Sequence, residues 1–299
     1  MVKLNKKMQI RLQNGKWDGI WDKPKYQEMR NLIKESFKDL IFIEEGHKYF
    51  LDGKQMTCVS DVTHLFKPHF DSETKAQETF ERNFDNPDSK YYRMTAEEIL
   101  KQWKETSENA CKTGSERHAF GESCFWFMTK QNDGILPEFR DRLEADGCFV
   151  TKYPKEEAIA KFWQDLPVSF VPIAVENLTF RRDLNYSGTF DALFYYDAEL
   201  NGGKPEDSGA VIFDYKTNVD LYKNFKEQRL LPPFEGLLDC SLNIYKLQLS
   251  LYQLALEKIG FNVIGRRLIW LKPTGEYEKI PLESYANKLE NYLINNPII

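Results

Sequence analysis

The sequence predicts an α/β protein, a mixed sheet flanked by helices, and three observations predict it. Short aromatic or β-branched runs bounded by turn residues occur at 168–180, 189–196, 209–217 and 263–271, and read as strands. Leu242 to Ile259 carries apolar residues at helical spacing and stops at Gly260. Strand-like and helix-like segments are interspersed along the chain, so helices are available to cover a sheet.

Taken in order, a helix is expected around Lys25 to Leu40, followed by a tight hairpin at Asp52-Gly53 between apolar runs. Ser60 or Asp61 then caps a short helix. Phe70 to Tyr92 reads as a polar loop with Asn86-Pro87 as a breaker. Thr95 with Glu98 forms a capping box that opens a helix through Trp103 toward Cys111. Gly114 is expected to interrupt it, with a second helix from Ser115 to about Met128. Residues 130–168 read as a helical insertion. The sheet begins at Val168 to Phe180, where Glu176 lies inside an apolar run, and a hairpin follows. After a loop-rich stretch from Asn218 to Asp239 come the helix ending at Gly260, strands at Val263 to Leu271 and Glu278 to Pro281, and a last helix from Leu282 to Ile294.

At 299 residues the chain can bury a substantial core. It is 41% hydrophobic and 29% charged, ordinary for a soluble globular protein. No apolar stretch spans a bilayer and the basic start lacks a signal peptide's apolar segment, so an intracellular protein without a membrane partner is expected. Five scattered cysteines without a C-x-x-C pair read as reduced core residues and support neither zinc nor an iron–sulfur cluster. A net charge of −5 argues against coating nucleic acid non-specifically, but a local basic groove remains compatible with it. Phosphate-loop and dinucleotide fingerprints are missing.

The hairpin carries the chemistry. Its connection, Asp197 to Ser208, is rich in glycine, proline and acids. If the loop closes symmetrically, Tyr196 faces Gly209 and Asp191 falls opposite Asp214. Alternation then sends Asp214 and Lys216 to one side of the strand and Phe213 and Tyr215 to the other. An Asp-x-Lys at a strand end is most often a solvated ion pair. Here the strand before it, Ala210 to Phe213, reads as buried, and a second aspartate lies across the hairpin. Two adjacent carboxylates repel and resist desolvation unless a cation neutralises them, which suits a divalent metal with oxygen ligands.

Two helical pairs join this set. His118 and Glu122 are four residues apart on one helix face with Gly121 between them, where a small residue admits a close neighbour. They form either an exposed ion pair or, through His118, a metal ligand. Gln248 and Tyr252 lie on or beside the stripe Tyr245, Leu249, Tyr252, Leu256, where a polar pair interrupts an apolar face. Core packing with a buried hydrogen bond accounts for that pair equally well.

The order T-G-x-x-x-H-x-x-x-E, G-T-x-D, D-x-K, Q-x-x-x-Y, from Thr113 to Tyr252, resembles the PD-(D/E)XK nuclease superfamily, specifically its RecB-like exonuclease branch with its phage and mitochondrial genome maintenance exonucleases. The resemblance implies a restriction-endonuclease-like mixed sheet, with an N-terminal extension over 1–90 and a nuclease core over 91–299. It implies that Asp191 and Asp214 hold magnesium or manganese with His118 as a further ligand. Glu122 or Glu176 would add a contact. Lys216 would polarise the scissile phosphate or orient water, and beside a cation its pKa would fall, suiting a proton carrier. Gln248 and Tyr252 would position the nucleic acid. Branch members with an iron–sulfur cluster carry C-terminal cysteines, and this chain has none after Cys240, so that cofactor is not expected. The expected partner is DNA, single-stranded or with free ends, with a recombination or replication protein as a second partner. The expected setting is the cytoplasm of a bacterium or phage-infected cell. A structure-specific endonuclease and a non-catalytic binding module on a decayed nuclease fold are the competing readings. The aromatic loop around Leu231 to Phe234 would either stack on bases or pack in the core.

Overall fold

The hairpin that carries the two aspartates is the centre of the sheet. In a computed structural model describing residues 9–298, the elements in chain order begin with β1 (Arg11–Leu12), α1 (Pro24–Phe37), β2 (Leu40–Ile43), β3 (Lys48–Leu51), β4 (Lys54–Cys58) and α2 (Val59–His64). Next come α3 (Ser72–Asn83), α4 (Ala96–Met128), β5 (Phe149–Val150), α5 (Pro154–Asp165) and β6 (Phe170–Arg181). The chain continues with β7 (Tyr186–Tyr196), β8 (Gly209–Lys216), α6 (Ser241–Lys258), β9 (Val263–Leu271), β10 (Tyr277–Pro281) and α7 (Ala286–Asn295). The architecture is mixed α/β: an eight-stranded sheet in the order β10-β9-β8-β7-β4-β3-β2, with β6 also pairing β7, flanked by helices. β6–β7, β7–β8 and β9–β10 are antiparallel, while β8–β9 and β4–β7 are parallel.

The predicted turns hold where backbone geometry demands them. Asp52 and Gly53 both take positive φ (+52° and +75°), as a two-residue hairpin turn requires, and join β3 to β4. Tyr196 faces Gly209 as expected. The apolar run of β8 is buried from Gly209 to Tyr215, and β7 is buried from Phe190 to Phe194. Phe162 of α5 packs its ring on Phe194, Phe213 and Tyr215. Tyr252 of α6 lies over Phe190.

The chain divides into two compact units, one of residues up to Lys67 and from Arg117 onward, the other Pro68–Glu116. Thr57 and Cys58 of β4 pair with Tyr186 and Ser187 and so join the N-terminal hairpin to the main sheet. The segment 130–168, expected as a helical insertion, holds one α-helix, α5, and its Ala158, Ile159, Phe162 and Trp163 are part of the main core. In the smaller unit, the expected loop over 70–92 contains α3. Its N-cap Asp71 accepts from the Glu73 and Thr74 amides. Trp103 contacts the Phe70 and Tyr91 rings and donates its indole N–H to the Tyr91 hydroxyl (2.8 Å). The Thr95–Glu98 capping box forms reciprocally, but α4 then runs through Gly114 without a break. One interior glycine costs a helix only about 1 kcal/mol. α2 is capped by Cys58 instead of Ser60 or Asp61, because it starts at Val59 and leaves those two in the first turn. α7 starts at Ala286, four residues later than expected, where the Ser284 hydroxyl accepts the Ala286 amide. Of the five cysteines, Cys111 is exposed and not a core residue. Among the described residues no helix is long and apolar enough to cross a membrane.

Candidate metal centre

Three strands and two helices bring the polar residues together. His118 projects from α4, Glu176 from β6, Asp191 from β7, Asp214 and Lys216 from β8, and Gln248 and Tyr252 from α6. His118 Nδ1 lies 3.2 Å from Asp191 Oδ1 and 3.5 Å from Glu176 Oε1. One ligand atom from each of these three residues lies within 4.8 Å of the others.

The two strand pairings explain the convergence. Along β6 and β7, Val175 faces Ala192 and Asn177 faces Phe190, which leaves Glu176 and Asp191 across from each other. Glu176 has φ +43°, left-handed backbone that a glutamate rarely adopts and that concentrates at functional sites. Along β7 and β8 the ladder follows the expected register only as far as Ala192 opposite Phe213. Beyond that point the Asp191 side chain takes over, and its Oδ2 accepts the Tyr215 amide (2.6 Å). Asp191 is therefore locked onto β8 through its carboxylate, a tighter arrangement than the ladder neighbour of Asp214 that the hairpin count predicts.

Gly121 fixes how closely α4 approaches. A Cβ there would lie 2.7 Å from Tyr215 Cε2, so the glycine admits the Tyr215 ring, and the neighbouring His118 ring packs edge-on to it. Arg117, next to His118, is tied to α5 through Glu156, which is fully buried and also bonded by Arg142 and the Lys152 and Tyr153 amides. Glu122 accepts the Trp126 indole N–H (3.2 Å). Of the two glutamates that remained open, Glu176 joins the cluster and Glu122 flanks it.

Asp214 and Lys216 form the second half of the site. Lys216 Nζ lies 2.6 Å from Asp214 Oδ2, while the other Asp214 oxygen, Oδ1, is buried with no hydrogen-bond partner among the described residues. The contact is a close ion pair that leaves one buried acceptor unsatisfied, a state that is expensive unless a donor or cation completes it. Residues that sequence reasoning missed hold Lys216: its ammonium sits 4.4 Å above the Tyr245 ring, and the Tyr245 hydroxyl donates to Asn218 Oδ1 (2.9 Å). The stripe reading had identified Tyr245 only as core. Gln248 donates to the Tyr252 hydroxyl (3.3 Å), and Tyr252 is buried, its ring over Gly188, so the half-buried Gln248 amide is the more accessible member of the pair. Thr189 of the G-T-x-D motif shares a hydrogen bond with the Tyr49 hydroxyl (3.1 Å), a contact from β3 that the motif does not foretell.

The electrostatics follow from burial and mutual charge. Burial first and the Asp191 charge second push Glu176 up to about 7 against the His118 hydrogen bond. Burial and Asp191 push Asp214 up to about 6 against Lys216. Burial opposes ionisation of Asp191 too, but His118, Lys216 and the Tyr215 amide outweigh it and hold that carboxyl below its ordinary value. Desolvation disfavours the His118 imidazolium, and Asp191 and Glu176 overcome it, raising its pKa well above the ordinary value. Burial likewise works against the Lys216 ammonium while Asp214 and Asp191 hold its pKa up in the metal-free chain.

One imidazole nitrogen and carboxylate oxygens, with one buried acceptor left unsatisfied, fit a magnesium- or manganese-like ion, which favours oxygen ligands and tolerates histidine. No protein-family model matches the chain, and no curated protein matches it.

Proposed function

We propose that the chain is a metal-dependent deoxyribonuclease of the PD-(D/E)XK type, with a restriction-endonuclease-like core, that hydrolyses phosphodiester bonds from DNA ends. The observation that carries this reading is the convergence of His118, Glu176 and Asp191 within ligand distance, beside a buried Asp214–Lys216 pair on the next strand. A non-catalytic module gains nothing from burying an incompletely satisfied carboxylate against a lysine.

His118, Glu176 and Asp191 would hold magnesium or manganese, whose chemistry is to acidify water and neutralise phosphate charge. Lys216, charged and poised over Tyr245, donates to an oxygen of the scissile phosphate and stabilises the charge that grows there. Asp214 orients Lys216 through the ion pair. The Tyr215 amide fixes the Asp191 carboxylate. Gln248, held by Tyr252, presents its amide to the strand being cut.

The test is hydrolysis of end-labelled linear DNA and covalently closed circles, single- and double-stranded, with magnesium, manganese or EDTA, by the wild type and by Asp214→Ala and Asp191→Ala. Metal-dependent loss of linear DNA alone, abolished by either substitution, is the expected result. Nicked circles would make the enzyme an endonuclease, and an inert wild type under both metals would overturn the proposal in favour of a binding module.

A further inference from the structure

The loop that leaves β8 directly after Lys216 is unusual in what it exposes. Val219 is 99% exposed, Tyr222 54% and Phe225 57%, although the same loop buries Leu221, Leu230 and Phe234 completely or nearly so. Phe234 packs on Phe66 and Tyr285, so the aromatic loop around Leu231 to Phe234 is core at its last residue. A core was within reach of this segment, and Tyr222 and Phe225 were left outside it.

The exposed rings are held by a built loop. Asp220 accepts the Tyr222 and Lys223 amides through Oδ1, closing a turn under Tyr222. Leu221 accepts the Leu242 amide, and Asn224 Nδ2 donates to the Gln228 and Asp239 carbonyls. Lys226 and Glu227 then take φ of +53° and +55°, two successive non-glycine residues in left-handed backbone. Such backbone is disfavoured and persists where surrounding structure enforces it. Tyr222 leans on Trp270 (ring centroids 6.2 Å), which stands beside Lys216 in the β8–β9 register and donates its indole N–H to the Asn218 carbonyl.

The charges alternate with the rings. Lys223 follows Tyr222, and Lys226 follows Phe225 and lies over its ring. Arg229 completes three cations against Asp220, which is engaged in its turn, and Glu227. An aromatic face followed by a cation, repeated after three residues, matches a base followed by a phosphate. An apolar protein surface would bury these lysines unpaired, and a duplex offers no free base faces.

Resting on the nuclease reading above, we infer that the loop from Val219 to Arg229 is a stacking platform for a single strand of nucleic acid: Tyr222 and Phe225 receive unpaired bases, and Lys223 and Lys226 meet the phosphates between them. The platform begins immediately downstream of Lys216 in the chain, and its Tyr222 rests on Trp270, the β9 neighbour of Lys216.

Binding is measured in EDTA, so that hydrolysis does not intervene, by fluorescence anisotropy of the full chain with a labelled oligothymidylate of about twenty nucleotides and with a blunt duplex of the same length. The wild type should prefer the oligothymidylate, and Tyr222→Ala and Phe225→Ala should each weaken it roughly tenfold, the loss of one stacked base. Phe225→Trp should retain the affinity, with indole fluorescence quenched on binding beyond the wild-type change. A wild type that does not bind the oligothymidylate, or that binds the duplex equally well, overturns the platform. So does an unaltered affinity in the folded Tyr222→Ala/Phe225→Ala chain, or an unquenched Phe225→Trp. The two readings fail separately: metal-dependent hydrolysis with unaltered binding in the double variant sinks the platform alone. Binding lost with the rings in a chain that hydrolyses nothing sinks the nuclease reading alone.

Discussion

Glu176 and Asp214 have their folded pKa values pushed up to about 7 and about 6 by burial first and the Asp191 charge second. A carboxyl raised in this way binds more protons folded than unfolded, so its contribution is fully present below its ordinary value and is lost as pH rises through the folded one. His118, also raised, acts in the same sense above its ordinary 6.5, while the lowered Asp191 acts in the opposite sense only below its ordinary 3.8. The metal-free protein should therefore be more stable near pH 5 than near pH 8, by roughly 1–3 kcal/mol. Glu176→Gln should flatten part of that slope. Manganese needs the deprotonated groups, so its stabilisation should be larger near pH 8. Urea titrations of the metal-free chain across this range decide the matter, and a stability that stays level or rises with pH would contradict it. At this scale the sequence was legible for Asp191, Asp214, Lys216 and His118, whose residue types in an apolar setting already demand a partner. The choice of Glu176 over Glu122 was not legible. It depends on an unusual backbone angle and on the Trp126 indole, and neither leaves a local pattern.

Strand pairing and helix approach are decided by what a single position leaves empty. Gly188 in β7 is the first residue of the G-T-x-D motif, and a Cβ there would come within 3.0 Å of Tyr252 Cε1 and 3.1 Å of Val59 Cγ2. It is where α6 and α2 both close on the sheet. An alanine is intrinsically better than glycine in a strand, so a purely local view predicts a small gain. The packing view predicts that Gly188→Ala destabilises by about 1–3 kcal/mol, as overpacked cores do. Pairing it with Tyr252→Leu should recover part of that loss as a coupling above about 0.5 kcal/mol. Denaturant melts of the two single variants and the double variant measure this, and a stabilised Gly188→Ala would refute the packing view. The elements themselves were legible where a period or a turn signal was strong: β7, β8, β9, α6 and the Asp52-Gly53 hairpin. They were misread where a single-residue signal was overweighted, as with Gly114, or where few apolar residues marked the period, as in α3, whose cap at Asp71 was the better clue. The ladder beyond Ala192 was misread for a different reason: counting registers assumes backbone pairing, and there a carboxylate replaces it.

A chain with net charge −5 cannot hold a polyanion through its overall field, so any nucleic acid must be gripped where cations cluster. The candidates on the proposed platform are Lys223, Lys226 and Arg229, with Lys216 just before it in the chain. Each cation that meets a phosphate releases counterions, and for single strands the logarithm of affinity falls with the logarithm of salt at about 0.7 per contact. Three to four contacts then give a slope of about −2 to −3, shallow for a nucleic-acid-binding protein, because much of the affinity comes from ring stacking, which salt does not screen. The slope is read from oligothymidylate binding in EDTA between about 0.05 and 0.2 M salt. Lys226→Ala should reduce it by about 0.7. Removing the Phe225 ring should lower the affinity at every salt concentration and leave the slope in place. This separation of slope from intercept distinguishes a local stacking site from a diffuse electrostatic one. A slope near zero would deny the phosphate contacts, and one steeper than about −5 would require a basic surface larger than this loop provides.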